Sequence, residues 1–312
     1  MNKKTKYQWA VNIDKLRVCL NMPENLYEYL HEHYSRYDEL SKSRILDEDD
    51  FNLVFIDEDE KTMTAVLNVR DVEGYFRLGI FIFNNGARYK GKAFFTFENS
   101  ALYRIYTKMP NIAPQNHICD LLYVLDYYGM TFNNITEIEL AFDSNYNYIR
   151  TILNWIIDIK NTDLYINGDK VEDDEILEGY GEFYSRNRIK RSKTPTLYFS
   201  HAKRTDLRMK IYNKAKELEE NSPQKSERVK DWLGWDNINE LYRIEVVLHN
   251  TNIREFMPRC KNVLAEWSEH ENVLNLLCVP DFRLLMFLDS IDRLIYFKDK
   301  KTGEKFSIIE VA

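Results

Sequence analysis

Glycine and proline are scarce, 10 and 7 residues in a chain of 312. Neither an internal repeat nor a Gly-rich phosphate loop is present, which sets aside a P-loop nucleoside triphosphatase. The four cysteines, Cys19, Cys119, Cys260 and Cys278, lie far apart. No C-x-x-C pair or neighbouring His gives zinc-ligand spacing, so they read as buried reduced thiols. No stretch reaches the roughly 18 apolar residues that a membrane helix needs. The first residues, MNKKTKYQWAV, are basic without an apolar run, and the expectation is a cytoplasmic protein. The acidic runs Asp47–Asp50 and Asp57–Glu60 lack EF-hand spacing, which argues against calcium. What is abundant is core material. At 44% apolar and 14% aromatic residues, the chain can fill one large domain or two modest ones.

The most informative stretch is Leu197–Lys216, LYFSHAKRTDLRMKIYNKAK. Leu207, Met209 and Ile211 alternate with Arg208, Lys210 and Tyr212, so a strand here puts an apolar trio on one face and two cations with a tyrosine on the other. A phenol with a reference pKa near ~10 attacks poorly unless positive charge or a metal ion stabilises the phenolate. The plainer reading is a solvated sheet face. From residue 186 to 216 there are eleven Lys and Arg against one acid, Asp206, a net +10 within a chain of net charge −7. A basic segment of that kind, with Arg191, Lys203, Arg204, Arg208 and Lys214, makes a groove for a polyanion or else a solvated loop. The sequence pI near 5.6 is not that of a typical DNA-binding protein.

Two further strands carry polar residues on one face. In Ile135–Asp143, Ile138, Leu140 and Phe142 face inward while Glu137, Glu139 and Asp143 share the other side. Crowded carboxylates repel unless a cation sits among them, and hard oxygens suit Mg²⁺ or Mn²⁺; the alternative is a solvent-facing acidic strand. In LYRIEVVLHN, Ile244, Val246 and Leu248 oppose Arg243, Glu245, Val247 and His249. Side by side in one antiparallel sheet, these strands would bring Tyr212, Arg208, Lys210, Glu139, Glu245, Arg243 and His249 together. A strand over Val11–Leu20 puts Asp14 on its otherwise apolar side.

Helical spacing links Leu26, Leu30, His33, Tyr37 and Leu40, so the expectation is one helix across ENLYEYLHEHYSRYDEL. Residues two apart point away from each other in a helix, so His31 and His33 read as ordinary helix residues rather than a metal-binding pair. A second helix is expected from about Gln115 to Tyr128, ending at Gly129. Trp232 and Trp235 read as core anchors in preference to base-stacking groups. The stretch from Phe256 to Asp289 reads as mainly helical, and LIYFKDKKTGEKFSIIEV as a hairpin turning near Thr302 and Gly303.

ITEIELAFD, TLYFSHAKRTDLRMKIYNKAKE and LYRIEVVLHN resemble, in order and pattern, the strands of rolling-circle plasmid replication initiators of the staphylococcal type, which are related to mobile-element relaxases. The similarity covers about residues 135 to 250 and extends weakly to VNIDKLRVCL and FFTFENSAL. It implies a DNA nicking and joining enzyme with Tyr212 as nucleophile, leaving the 5′ end on the tyrosine and a free 3′ hydroxyl for a polymerase. It also implies Glu139 and Glu245 as metal ligands, with Asp14 and Asp143 as weaker candidates, and Arg243 as a phosphate-holding group, joined on strand geometry by Arg208 and Lys210. Val247 stands where the family often has a second Glu, and Ser200 where it usually has Gly.

The expectation is therefore an α+β protein. Residues 1–255 would form the nicking and joining domain on an antiparallel sheet with flanking helices, and 256–312 a smaller, mainly helical region for origin recognition. Single-stranded or supercoiled origin DNA would be the substrate and Mg²⁺ or Mn²⁺ the cofactor. Host helicase and polymerase would be partners, with room for a homodimer. A conjugative relaxase is the alternative with the same chemistry, and a non-catalytic DNA-binding regulator the alternative without it.

Overall fold

A computed structural model describes residues 7–33, 37–38, 43–58, 61–71, 74–103, 117–173, 176–179, 182–185, 196–201, 204–221, 223–235, 238–260 and 273–308. The fold is α+β and its sheets are antiparallel. In chain order the elements are β1 (Trp9–Asn21), α1 (Leu26–His33), β2 (Tyr37–Asp38), β3 (Ser43–Asp47), β4 (Phe51–Glu58), β5 (Thr62–Asp71), β6 (Gly74–Asn84) and β7 (Lys92–Phe97). There follow α2 (Asn99–Leu102), α3 (His117–Tyr127), β8 (Thr131–Ser144), α4 (Tyr148–Ile157), β9 (Thr162–Ile166), β10 (Asp169–Val171), β11 (Ile176–Gly179) and β12 (Glu182–Ser185). The last are β13 (Leu197–His201), β14 (Arg204–Asn213), α5 (Lys214–Asn221), α6 (Pro223–Leu233), β15 (Tyr242–His249), α7 (Asn250–Cys260), α8 (Val273–Leu277), α9 (Pro280–Leu294), β16 (Ile295–Asp299) and β17 (Lys305–Phe306). Among the described residues no helix is long and apolar enough to cross a membrane.

The chain divides into two compact units. The first comprises Met1–Asn12, Glu139–Ala265 and Pro280–Ala312, so the C-terminal helix and hairpin belong with the strands from β9 to β15. Its larger sheet runs β12-β11-β13-β14-β15 with the end of β8 beside β15, and a second sheet runs β10-β9-β16-β17. Period-two alternation builds the core as the sequence predicts. Leu207, Met209 and Ile211 of β14 and Ile244, Val246 and Leu248 of β15 are all buried, and α7 and α9 pack on these two strands. Phe142 of β8 stacks on Phe287 of α9, with ring centroids 5.3 Å apart. A satellite cluster of Leu218, Val229, Trp235, Ile238 and Leu241 seats α5 and α6. Trp235 is thus a core anchor, as expected, while the Trp232 side chain lies outside the described residues.

The second unit comprises Ile13–Ile138 and Glu266–Val279. Its strands run β1-β7-β6-β5-β4-β3-β2, around a core that includes Leu16, Val18, Leu53, Leu67, Phe81 and Phe95. The helix expected near residue 115 is α3, and Gly129 at φ +61° ends it in the left-handed region that favours glycine. Two expectations are corrected here. The first helix ends its described span at His33, and Tyr37–Asp38 is a strand paired with Ser43–Arg44: backbone pairing with a neighbouring strand overrides the helical spacing of Tyr37. All four cysteines are free, but Cys119 is exposed and Cys278 only partly buried: the first falls on a face of α3 away from its buried residues and the second on the turn after α8.

Candidate functional site

Register between β14 and β15 sets Lys210 opposite Glu245 and Tyr212 opposite Arg243. Directly opposed residues share a face, so all four side chains stand on the side of the sheet turned away from Met209 and Val246. Glu245 is the hub. The Tyr212 hydroxyl donates to its Oε1, Lys210 Nζ donates to its Oε2 at 2.9 Å, and Arg243 Nη1 lies 3.6 Å from Oε1. Tyr212 is 5% exposed and Glu245 3%. The Lys210 ammonium sits 4.2 Å from the Tyr212 ring centroid and that of Lys214 5.7 Å. Two ammonium groups therefore flank the ring of a phenol whose hydroxyl is given to a carboxylate. Burial alone would lower the Lys210 pKa; the charge and hydrogen bond of Glu245, with smaller contributions from Tyr198 and Glu139, raise it instead. Lys210 is therefore a cation at neutral pH.

The three acids of β8 have three separate surroundings. Glu137 pairs with Lys15 at 2.8 Å. Asp143, fully buried, binds Arg243 through Nε at 2.7 Å and Nη2 at 2.8 Å. Glu139 lies beside Glu245, with one carboxylate oxygen of each within 4.8 Å of the other. Two carboxylates so close repel as anions, and an all-oxygen set suits a hard divalent cation. Asp14 accepts the Tyr103 hydroxyl, and its carbonyl accepts Asn99 Nδ2 at 2.6 Å. Glu139 and Glu245 fit such an ion in donor type; Glu245 oxygens are at the same time those that hold Tyr212 and Lys210.

Two sequence expectations change in this light. Asp143 stands apart from the acidic group because its two oxygens are engaged by Arg243. Arg243, 1% exposed, is held by that fork rather than presented to a phosphate, and it lines up Glu245. Arg208 is exposed on β14, and Lys214 opens α5 paired with Glu217 at 2.7 Å. Arg204 begins β14 opposite His201, with its side chain outside the described residues; Lys203 and Arg191 lie outside them altogether. The sequence reading missed Tyr103, which holds Asp14, and no local signal in the chain marks it. Comparison with protein-family models and with curated proteins finds no match to this chain.

Proposed function

We propose that this chain nicks and rejoins one strand of DNA through Tyr212, as the initiating step of rolling-circle replication. The observation that carries the reading is the hydrogen bond from the Tyr212 hydroxyl to Glu245, a carboxylate that is also bound by Lys210 and has an oxygen within 4.8 Å of one of Glu139. In the forward step Tyr212 Oη bonds to the scissile phosphorus and the bond from phosphorus to the 3′ oxygen breaks. The phenol proton passes to Glu245 and the departing 3′ oxygen takes one from solvent. The products are a 5′-phosphotyrosine and a 3′ hydroxyl from which a host polymerase extends; the reverse step rejoins the strand.

Lys210 offsets charge on the phenolate, and Arg243, fixed by Asp143, keeps Glu245 oriented. Arg208 and Lys214 contribute positive charge towards the DNA backbone. Glu139 and Glu245 would hold Mg²⁺ or Mn²⁺, whose chemistry is to polarise the phosphate and neutralise its growing charge. A relaxase of a mobile element uses the same chemistry, and origin-derived against transfer-derived DNA separates the two.

The burial of Tyr212, 5% exposed, favours a second reading, a DNA-binding regulator in which the hydroxyl only braces Glu245. Covalent attachment of DNA, and its loss in Tyr212→Phe, decides between them.

A further inference from the structure

The smaller sheet of the first unit has one apolar face and one face of unusual composition. Leu164, Val171 and Phe297 are buried, and Trp155 of α4 packs edge-on against Phe297 and Phe306, with centroids 5.2 and 5.1 Å away. The opposite face follows from register. Lys170, Tyr165 and Tyr296 are directly opposed across β10, β9 and β16 and form one row. Asp163, Lys298 and Lys305 form the next row across β9, β16 and β17.

The two tyrosine rings stack nearly parallel, 4.8 Å between centroids and 6° between planes. Lys298 Nζ lies 4.8 Å from the Tyr165 centroid and 5.9 Å from that of Tyr296, and Lys305 Nζ 4.6 Å from Tyr296. Asp163 is shared by Lys170 at 3.1 Å and Lys300 at 3.4 Å, and Lys305 reaches Asp292 at 3.1 Å. Lys298 has no carboxylate within ion-pairing distance among the described residues, although it stands directly across from Asp163. Side chains of Lys170 and Lys305 are each 44% exposed.

We infer that this face is a binding platform for single-stranded DNA, separate from the nicking residues: bases stack on the Tyr165–Tyr296 pair while Lys298, Lys305 and Lys170 neutralise the phosphates beside them. Aromatic rings on a half-exposed sheet give every base a π-face to cover, and ammonium groups that rest on those rings are poised to exchange a ring for a phosphate. A duplex, whose bases are already stacked, gains only the charge term. The net positive face on an acidic chain supplies the complementarity. Taking the polyanion to be DNA rests on the proposed function above; the platform itself rests on the sheet.

The test is fluorescence polarisation of the full-length chain with a labelled oligothymidine of about 20 nucleotides and with a duplex of the same length, across a salt series. Lys298→Met/Lys305→Met is expected to weaken single-strand binding and flatten the log–log salt slope by roughly 0.7 for each phosphate no longer neutralised. Tyr165→Leu/Tyr296→Leu is expected to weaken it roughly tenfold at unchanged slope, with duplex binding unaffected. Lys301→Met, a turn lysine outside the two rows, serves as the charge control and stays within about twofold of the parent. The inference is overturned if both double variants bind like the parent, or if Lys301→Met loses as much as they do, or if the tyrosine variant weakens duplex and single strand alike. Circular dichroism of each variant confirms the fold. Adduct formation measured on the same samples keeps failure of the platform distinct from failure of the nicking reading, since Tyr212 and Glu245 are unaltered.

Discussion

Arg243 and Asp143, one hundred positions apart in the chain, form a two-pronged ion pair with nitrogen–oxygen distances of 2.7 and 2.8 Å and with side chains only 1% and 0% exposed. Removing one partner strands a buried charge, and such losses run to about 3–5 kcal/mol. Asp143→Leu and Arg243→Met should each lower urea-unfolding stability by an amount in that range, whereas the variant carrying both should cost clearly less than the sum of the two. Additive losses would mean that the pair is not coupled.

The carboxylates of Glu139 and Glu245 should make metal binding and apo stability respond in opposite directions. Glu139→Gln relieves repulsion, so without metal its melting temperature should equal or exceed that of the parent. Saturating Mn²⁺ at about 100 times its Kd should stabilise the parent by about 2.7 kcal/mol and Glu139→Gln far less. Thermal melts with and without Mn²⁺ read both effects; an equal metal-induced shift in the two proteins would remove Glu139 from the ligand set.

Lys210 gives a pH signature. Its folded-state pKa is raised above the ordinary 10.5 by Glu245, after burial has pulled the other way. A raised folded pKa contributes stability that is fully present below the unfolded value and is lost as pH rises through the folded one. The difference in unfolding free energy between the parent and Lys210→Met should therefore hold steady up to about pH 10 and shrink above it. A difference that stays flat through strongly alkaline pH would show that the Lys210 pKa is not raised.

Much of the Tyr212 face was legible in the sequence because period-two alternation is local. Once Leu207, Met209 and Ile211 are assigned to the core, Lys210 and Tyr212 share the opposite face, and the same rule places Arg243 with Glu245. Division of labour among the β8 acids was not legible. Glu137, Glu139 and Asp143 have the same chemistry and spacing, and only tertiary partners, Lys15 for one and Arg243 for another, separate them. Tyr37 fitted a helical period but belongs to a strand, since pairing with β3 outweighs local spacing. The β9–β10 hairpin did carry a readable signal. Asn167 at φ +52° and Gly168 at φ +88° make its two-residue turn, and Asn-Gly between strand-like runs is a strong local hairpin cue. Its pairing with β16, across more than a hundred residues, has no such cue.

The nicking reading stands or falls on the Tyr212 hydroxyl, and the decisive test is a denaturing gel of the protein incubated with labelled single-stranded origin DNA and Mg²⁺ or Mn²⁺. Tyr212→Phe keeps the ring under Lys210 and Lys214 and removes one hydrogen bond, at a stability cost of about 1–3 kcal/mol. The expected result is a covalent protein–DNA band in the parent that requires metal and is absent in a folded Tyr212→Phe. A band that persists in Tyr212→Phe, or DNA bound by the parent with no covalent band on any origin-containing substrate, would contradict that reading.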